Sequence, residues 1–291
     1  MNILIKNTSV FLPTGEVKVC DVAIEGDRFK YVGEVPADFQ ADRIIDGTDK
    51  FMTPGFINSH THASMTLLRS YADDMNLMEW LNNKIWPIEA KMNREDIYWG
   101  AQLAAVEMIK SGTTCFNYMY TQFMDEVART TIESGLRGVL CRVLFGFSDQ
   151  DGHLFNEGVS LFNNYNGAGD GRVKVMIGPH APYTCHPEYL SMLGEEAKKL
   201  GAEIHIHMAE TENEIETIQK QYGMRPFAYV ESTGLFENGT LAAHCVHLND
   251  EDFEIIKKHN IRVAHNPVSN MKLASGSCQV SRLLKEGGTV G

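Results

Sequence analysis

The sequence predicts an α/β protein, an incomplete (β/α)8 TIM-like barrel preceded by a short all-β portion. Two observations carry that prediction. After Pro54-Gly55 apolar strand-like runs alternate with helical stretches, in steps of about 20–40 residues, the size of a β-α unit. Seven such strands are present, and Gly287-Gly-Thr-Val-Gly291 reads as the start of an eighth. Largely apolar strands that alternate with helices form a parallel sheet. Eight units favour a closed barrel, although periodicity alone leaves an open doubly wound sheet available.

Residues 1–53 read as short strands around Ile3, Ile5 and Val10-Phe11, then 17–24, then Lys30-Tyr-Val32. Pro13-Thr-Gly15 and Gly26-Asp27 supply the turns between them. Residues 54–291 hold the alternating series, with strands at 56–57, 113–116, 138–145, 173–177, 203–207, 240–243 and 261–264. Among the helices, one is capped by Asn93 and buries Ile97, Ala101, Ala104 and Met108, a stripe at helical spacing. Another opens at His186 with Pro187 in its first turn, runs through Leu190, Leu193 and Ala197, and ends near Gly201. A third is read as capped by Asp250, with Phe253 and Ile256 on one face.

Composition narrows the function classes. With 43% hydrophobic and 22% charged residues in 291, disorder is excluded, and the apolar runs are too interrupted for a membrane span. The first residues lack the charged and apolar regions of a signal peptide. Six scattered cysteines without a C-x-x-C pair fit reduced thiols in a cytoplasmic protein. A net charge of −12 argues against nucleic-acid or anionic-membrane partners. Oligomeric state is not readable from the sequence.

Eleven histidines point to the chemistry. His60 and His62 stand two apart at the end of an apolar strand, so both imidazoles face one side and can reach one metal ion. By itself an H-x-H triplet arises easily by chance, but strand ends at a barrel mouth are where active sites sit. His207 ends the fifth strand and Glu210 follows it, a metal ligand with an acid/base beside it. His205, two residues earlier, reads as a hydrogen-bonding residue behind the site. His180, His244 and His265 end the fourth, sixth and seventh strands, and together they converge on one mouth. His153, His186 and His259 lie in loop or helix contexts and read as surface residues.

Four segments in this order carry a resemblance: Pro54-Gly-Phe-Ile-Asn-Ser-His60-Thr-His62, Ile206-His-Met-Ala-Glu210, Ala242-Ala-His244-Cys-Val-His247 and His265-Asn-Pro-Val-Ser-Asn-Met-Lys-Leu273. They resemble the amidohydrolase superfamily over nearly the whole chain, and within it the branch of 5'-methylthioadenosine/S-adenosylhomocysteine deaminases. The resemblance implies a distorted barrel with a small β-sandwich built from both chain ends, 1–53 being its N-terminal part. It implies a hydrolase of nucleoside metabolism that releases ammonia from an adenine nucleoside derivative: 5'-methylthioadenosine, S-adenosylhomocysteine or adenosine. His60, His62 and His207 would bind one Zn²⁺ (Fe²⁺ in some relatives), Glu210 would carry protons, and His244 would orient the water. Trp86, Glu89, Arg142, His180 and Glu210 would contact the substrate, although Trp86 reads equally as a core aromatic.

Two departures from the family pattern follow. His153 stands where a second arginine is anticipated, which weighs against S-adenosylhomocysteine. The aspartate ligand of an eighth strand is absent, so the chain is expected to be a truncated, inactive portion of the enzyme. Other readings are a guanine- or cytosine-type deaminase, a triazine-type chlorohydrolase, and a non-catalytic metal-binding remnant.

Overall fold

Alternating β-branched and polar residues at the start of the chain form strands that pair locally. In the computed structural model, which describes residues 1–291, Met1–Gly55 and Phe56–Gly291 are two compact units. The first holds β1 (Asn2–Phe11), β2 (Val17–Glu25), β3 (Arg28–Gly33), β4 (Arg43–Asp46) and β5 (Phe51–Met52) in one sheet of order β3-β2-β1-β4, with β5 also paired to β1. β1, β2 and β3 are successive antiparallel hairpins, whereas β4 and β5 run parallel to β1. All five strands of this unit join one sheet. Val19, Phe29, Ile44 and Phe51 stay largely exposed. The division falls at Gly55, two residues past the boundary suggested by the sequence, since β5 keeps the chain on the first sheet through Met52.

The second unit is the barrel. Its strands are β6 (Phe56–Thr61), β7 (Thr113–Tyr120), β8 (Arg137–Leu144), β9 (Val173–Val175), β10 (Gly178–Pro179), β11 (Ile204–Met208), β12 (Thr240–His244) and β13 (Arg262–Ala264), all paired in parallel. β9 and β10 are two pieces of the fourth strand. A bridge from Ile177 to Ile204 joins them to β11. After β13, Val290 pairs with Val263 in parallel, and the Val263 and His265 amides donate to the Thr289 and Gly291 carbonyls. Residues 289–291 therefore take the eighth position, with the Gly291 backbone against the Ser59 side chain of β6.

Strand alternation separates two packed layers. Met119, Cys141, Val143, Leu241, Ala243 and Ala264 point into the barrel. Phe116, Tyr118 and Leu140 point outward onto the helices. Asn93 caps the helix Arg94–Ser111 in a capping box with Asp96, and Ile97, Ala101, Ala104 and Met108 are buried as the spacing predicts. The helix Pro187–Leu200 starts after His186 and ends at Gly201. The cap of Asp250–Lys258 is Asn249 and not Asp250. The Asn249 side chain accepts the Asp252 amide while Asp252 accepts the Asn249 amide, a reciprocal pair one residue earlier than the acidic run suggests. No helix is long and apolar enough to cross a membrane.

The segment just after the H-x-H motif depends on one close approach. Ser64 and Thr66 donate to the Ile97 and Gly100 carbonyls, and the Tyr118 hydroxyl donates to Ser64. A Cβ at Gly100 would lie 2.3 Å from the Ser64 carbonyl oxygen. Gly100→Ala is therefore expected to destabilise the protein by about 1–3 kcal/mol through overpacking, read as a lower urea midpoint at unchanged m-value.

Candidate metal centre

Period-two geometry on β6 and β11 brings three imidazoles to one point at the barrel mouth. The His60, His62 and His207 rings stand 4.9–5.6 Å apart, centroid to centroid, and one nitrogen of each lies within 4.8 Å of the others. The outward nitrogen of each ring is occupied. His62 Nδ1 is 2.6 Å from the Met119 carbonyl and His207 Nδ1 is 2.7 Å from the His180 carbonyl, so both rings carry their proton on Nδ1. His60 Nδ1 lies 2.8 Å from His205 Nε2. His60 Nε2 is buried with no hydrogen-bond partner. An unpaired buried nitrogen facing two others that present lone pairs is the donor arrangement of a divalent metal site, and the residues fit such an ion. Burial, reinforced by the neighbouring rings, holds His60 and His207 well below the ordinary imidazole range, and His62 is lowered by the same cause. All three are neutral at pH 7, as ligands must be.

Glu210 and His244 stand beside this cluster. Their side chains are 3.6 Å apart, His244 Nδ1 to Glu210 Oε1. Burial raises the Glu210 carboxyl to about 8 and lowers His244 to about 4. Strict alternation on β12 would send His244 outward with Ala242. A left-handed backbone at His244 (φ +75°) and Cys245 (φ +48°) breaks the strand there, and the ring comes within 5.5 Å of those of His60 and His207. Ala209 is likewise left-handed (φ +49°). The buried Glu214 carboxylate accepts the Ala209 and Glu210 amides at 2.8 and 3.0 Å and so holds that turn. Asn270 Oδ1 accepts from His244 Nδ1 at 2.8 Å and fixes its ring.

The cluster lies in a cavity of about 540 Å³, a volume within the range of small-molecule sites. Trp86, Glu89 and His180 line it. Trp86 and Glu89 are three apart in a helical segment, 77–89, whose middle turn, Leu81–Ile85, is a π-helix. Glu89 is buried beside the Tyr120 hydroxyl, and burial raises its carboxyl to about 7. His180 hydrogen-bonds Thr184 and packs on Phe145, and burial lowers it to about 3.

Arg142 does not join them. It alternates with Leu140 and Leu144 on the outer face of β8, pairs with Glu157 at 2.7 Å and donates to the Val143 carbonyl, outside the cavity lining. The strand period would have shown this, since the cavity-lining neighbours Val143 and Phe145 have the opposite parity. His259 is not a surface residue either: its ring is 9% exposed, packs on Phe236 and bonds Glu231. His153 is exposed as read, paired with Glu157, and His186 is half-buried. The sequence reading passed over Trp80, Tyr183, Asn270 and Lys272. The first two and Lys272 line the cavity, and Lys272 also pairs with Asp73. Only Asn270 and Lys272 had a signal, their place in the segment that begins at His265.

Comparison with known proteins agrees with this geometry. A 5-methylthioadenosine/S-adenosylhomocysteine deaminase of Desulfitobacterium hafniense is 52% identical over 284 residues, 97% of this chain and 64% of the relative. The chain thus spans under two thirds of that relative's length. An adenosine deaminase from Xanthomonas campestris with bound zinc superposes with a TM-score of 0.89 at 31% identity, covering 99% of this chain and 69% of the other. A guanine deaminase from C. acetobutylicum with bound guanine gives 0.88 at 24% identity over 100% and 73%, a likeness of fold alone. A family model described as the amidohydrolase family matches residues 51–291, and with that match spanning the whole barrel and its histidine cluster, the chain belongs to the amidohydrolase family.

Proposed function

We propose that this chain is the metal- and substrate-binding portion of a zinc-dependent deaminase of adenine nucleoside derivatives, 5'-methylthioadenosine foremost. The observation that carries the reading is the convergence of three imidazoles beside a buried carboxyl. A zinc ion held by His60, His62 and His207 would supply a water acidic enough to act near neutral pH. Glu210, with a pKa near 8, both takes and gives a proton at the working pH. In its ionised form it would take the proton of the attacking water and pass it to the purine ring nitrogen beside the amino-bearing carbon, then take the proton of the newly formed hydroxyl and give it to the amino group, which leaves as ammonia. His244, with its Nδ1 on Asn270, would present its other nitrogen to the attacked centre and steady the charge that develops there. Trp86 would offer a stacking face and Glu89 a hydrogen-bonding carboxyl for the nucleoside, with His180 joined to Trp86 through the Phe145 ring between them.

The aromatic lining near Trp86, Phe145 and Tyr183 favours an apolar 5'-substituent over a zwitterionic one, and Arg142 is turned away from it. Six unpaired cysteines suit a reducing, cytoplasmic setting. No carboxylate stands among the three clustered ligands, so binding is the first measurement and turnover the second.

Three outcomes test the reading. Calorimetry on the zinc-loaded protein is expected to detect 5'-methylthioadenosine and not guanine; tighter binding of guanine overturns the nucleoside assignment. Glu210→Gln is expected to lower any ammonia release by ~10²–10⁴-fold with nucleoside affinity nearly unchanged, since the amide still donates a hydrogen bond. An equal loss of binding would instead make Glu210 a mere contact. Glu89 binds its proton more tightly folded (about 7) than at its ordinary 4.5. Its contribution to stability is therefore full below pH 4.5 and is lost as pH rises to about 7, by up to ~3 kcal/mol. Across that window the urea midpoint of the wild type should drop relative to that of Glu89→Gln, the buried histidines, whose lowered pKa values act in the opposite sense, being common to both.

A further inference from the structure

His60 differs from the other two clustered ligands in what fixes its proton. His62 and His207 each face a backbone carbonyl, which only accepts and therefore dictates an Nδ1–H ring. His60 faces another imidazole, His205 Nε2, at 2.8 Å, and an imidazole can accept or donate. Two arrangements are open to such a pair. If His205 accepts, His60 carries its proton on Nδ1 and presents a lone pair at Nε2. If His205 donates, the His60 proton moves to Nε2 and blocks the ligand position.

The partner on the far side of His205 lies one layer deeper, and a thiol, like an imidazole, can accept or donate. His205 is fully buried inside the barrel, and its own Nδ1 lies 3.6 Å from the sulfur of Cys141 on β8. With its proton on Nδ1, His205 donates to that sulfur and leaves Nε2 free to accept from His60. We infer that Cys141, His205 and His60 form a buried file in which His205 is the positioning residue that commits the His60 Nε2 lone pair to the metal. The reading of His60 as a ligand underlies this inference. The file runs from β8 through β11 to β6, so it also ties the first strand of the barrel to the fifth through side chains.

The test uses the 291-residue protein with zinc as the probe, and two substitutions at one position. The Gln side chain places an acceptor where His205 Nε2 stands, and Leu does not. His205→Leu is expected to weaken zinc affinity, measured by chelator competition, ~10–100-fold, and His205→Gln to recover most of that loss. Long-range proton–nitrogen NMR of the His60 ring is expected to place the proton on Nδ1 in metal-free wild type and to show a mixture of the Nδ1–H and Nε2–H tautomers in the Leu variant. Wild-type zinc affinity in a folded Leu variant overturns the inference. Equal losses for Leu and Gln overturn it too, since they mark a packing role. So does a metal-free wild type with His60 protonated on Nε2. The NMR arm needs no metal: a wild type that retains no zinc yet shows the Nδ1 proton supports the file and removes the metal reading alone.

Discussion

Three imidazoles held by their far nitrogens are the constraint on which the mouth of this barrel depends. Each ring spends Nδ1 on a neighbour and keeps Nε2 for the centre. Burial then makes the cationic form unfavourable, so three basic groups sit within van der Waals range of one another without repulsion. A cluster of neutral lone pairs with no donor between them is stable only if something positive fills it, or if the surrounding shell refuses every other orientation. Here the shell consists of two carbonyls and one histidine, all on strands of the barrel or at their ends. The rigidity of the sheet is transmitted directly to the ligand geometry.

Around that rigid centre the proton-handling groups are carried on strained backbone. Ala209, His244 and Cys245 adopt left-handed conformations that cost energy for any residue with a Cβ. Ala209 and His244 are each held by a side chain outside the strand. Glu214 collects the two amides released at 209 and 210, and Asn270 grips His244. The division of labour is physical: regular strand presents ligands at a fixed two-residue repeat, and broken strand ends swing Glu210 and His244 into the space above them.

Much of this was legible. The Asn93 cap, the His186-Pro187 helix start and the buried stripe from Ile97 to Met108 follow from local capping and periodicity, which need no tertiary knowledge. The eighth-strand position of residues 289–291 was readable from the β-α rhythm. Elsewhere local signals were too weak or pointed the wrong way. β4 and β5 are four and two residues long and exist only because β1 offers them an edge. Arg142 was placed by likeness when its parity on β8 put it outside. His259 looked solvent-facing until Phe236 and Glu231, distant in sequence, closed over it.

The sequence by itself determined the strand and helix order, the pairing of His60 with His62 and of His205 with His207 on common faces, and the presence of an acid three residues beyond His207. Those are consequences of covalent spacing and a two-residue repeat, which act along the chain. Only the tertiary structure decided that β6 and β11 face the same interior point, that His205 backs His60, and that His244 turns inward against its strand's alternation. Those outcomes depend on sheet closure and on left-handed residues stabilised by Glu214 and Asn270, contacts between segments far apart in sequence that no local pattern encodes.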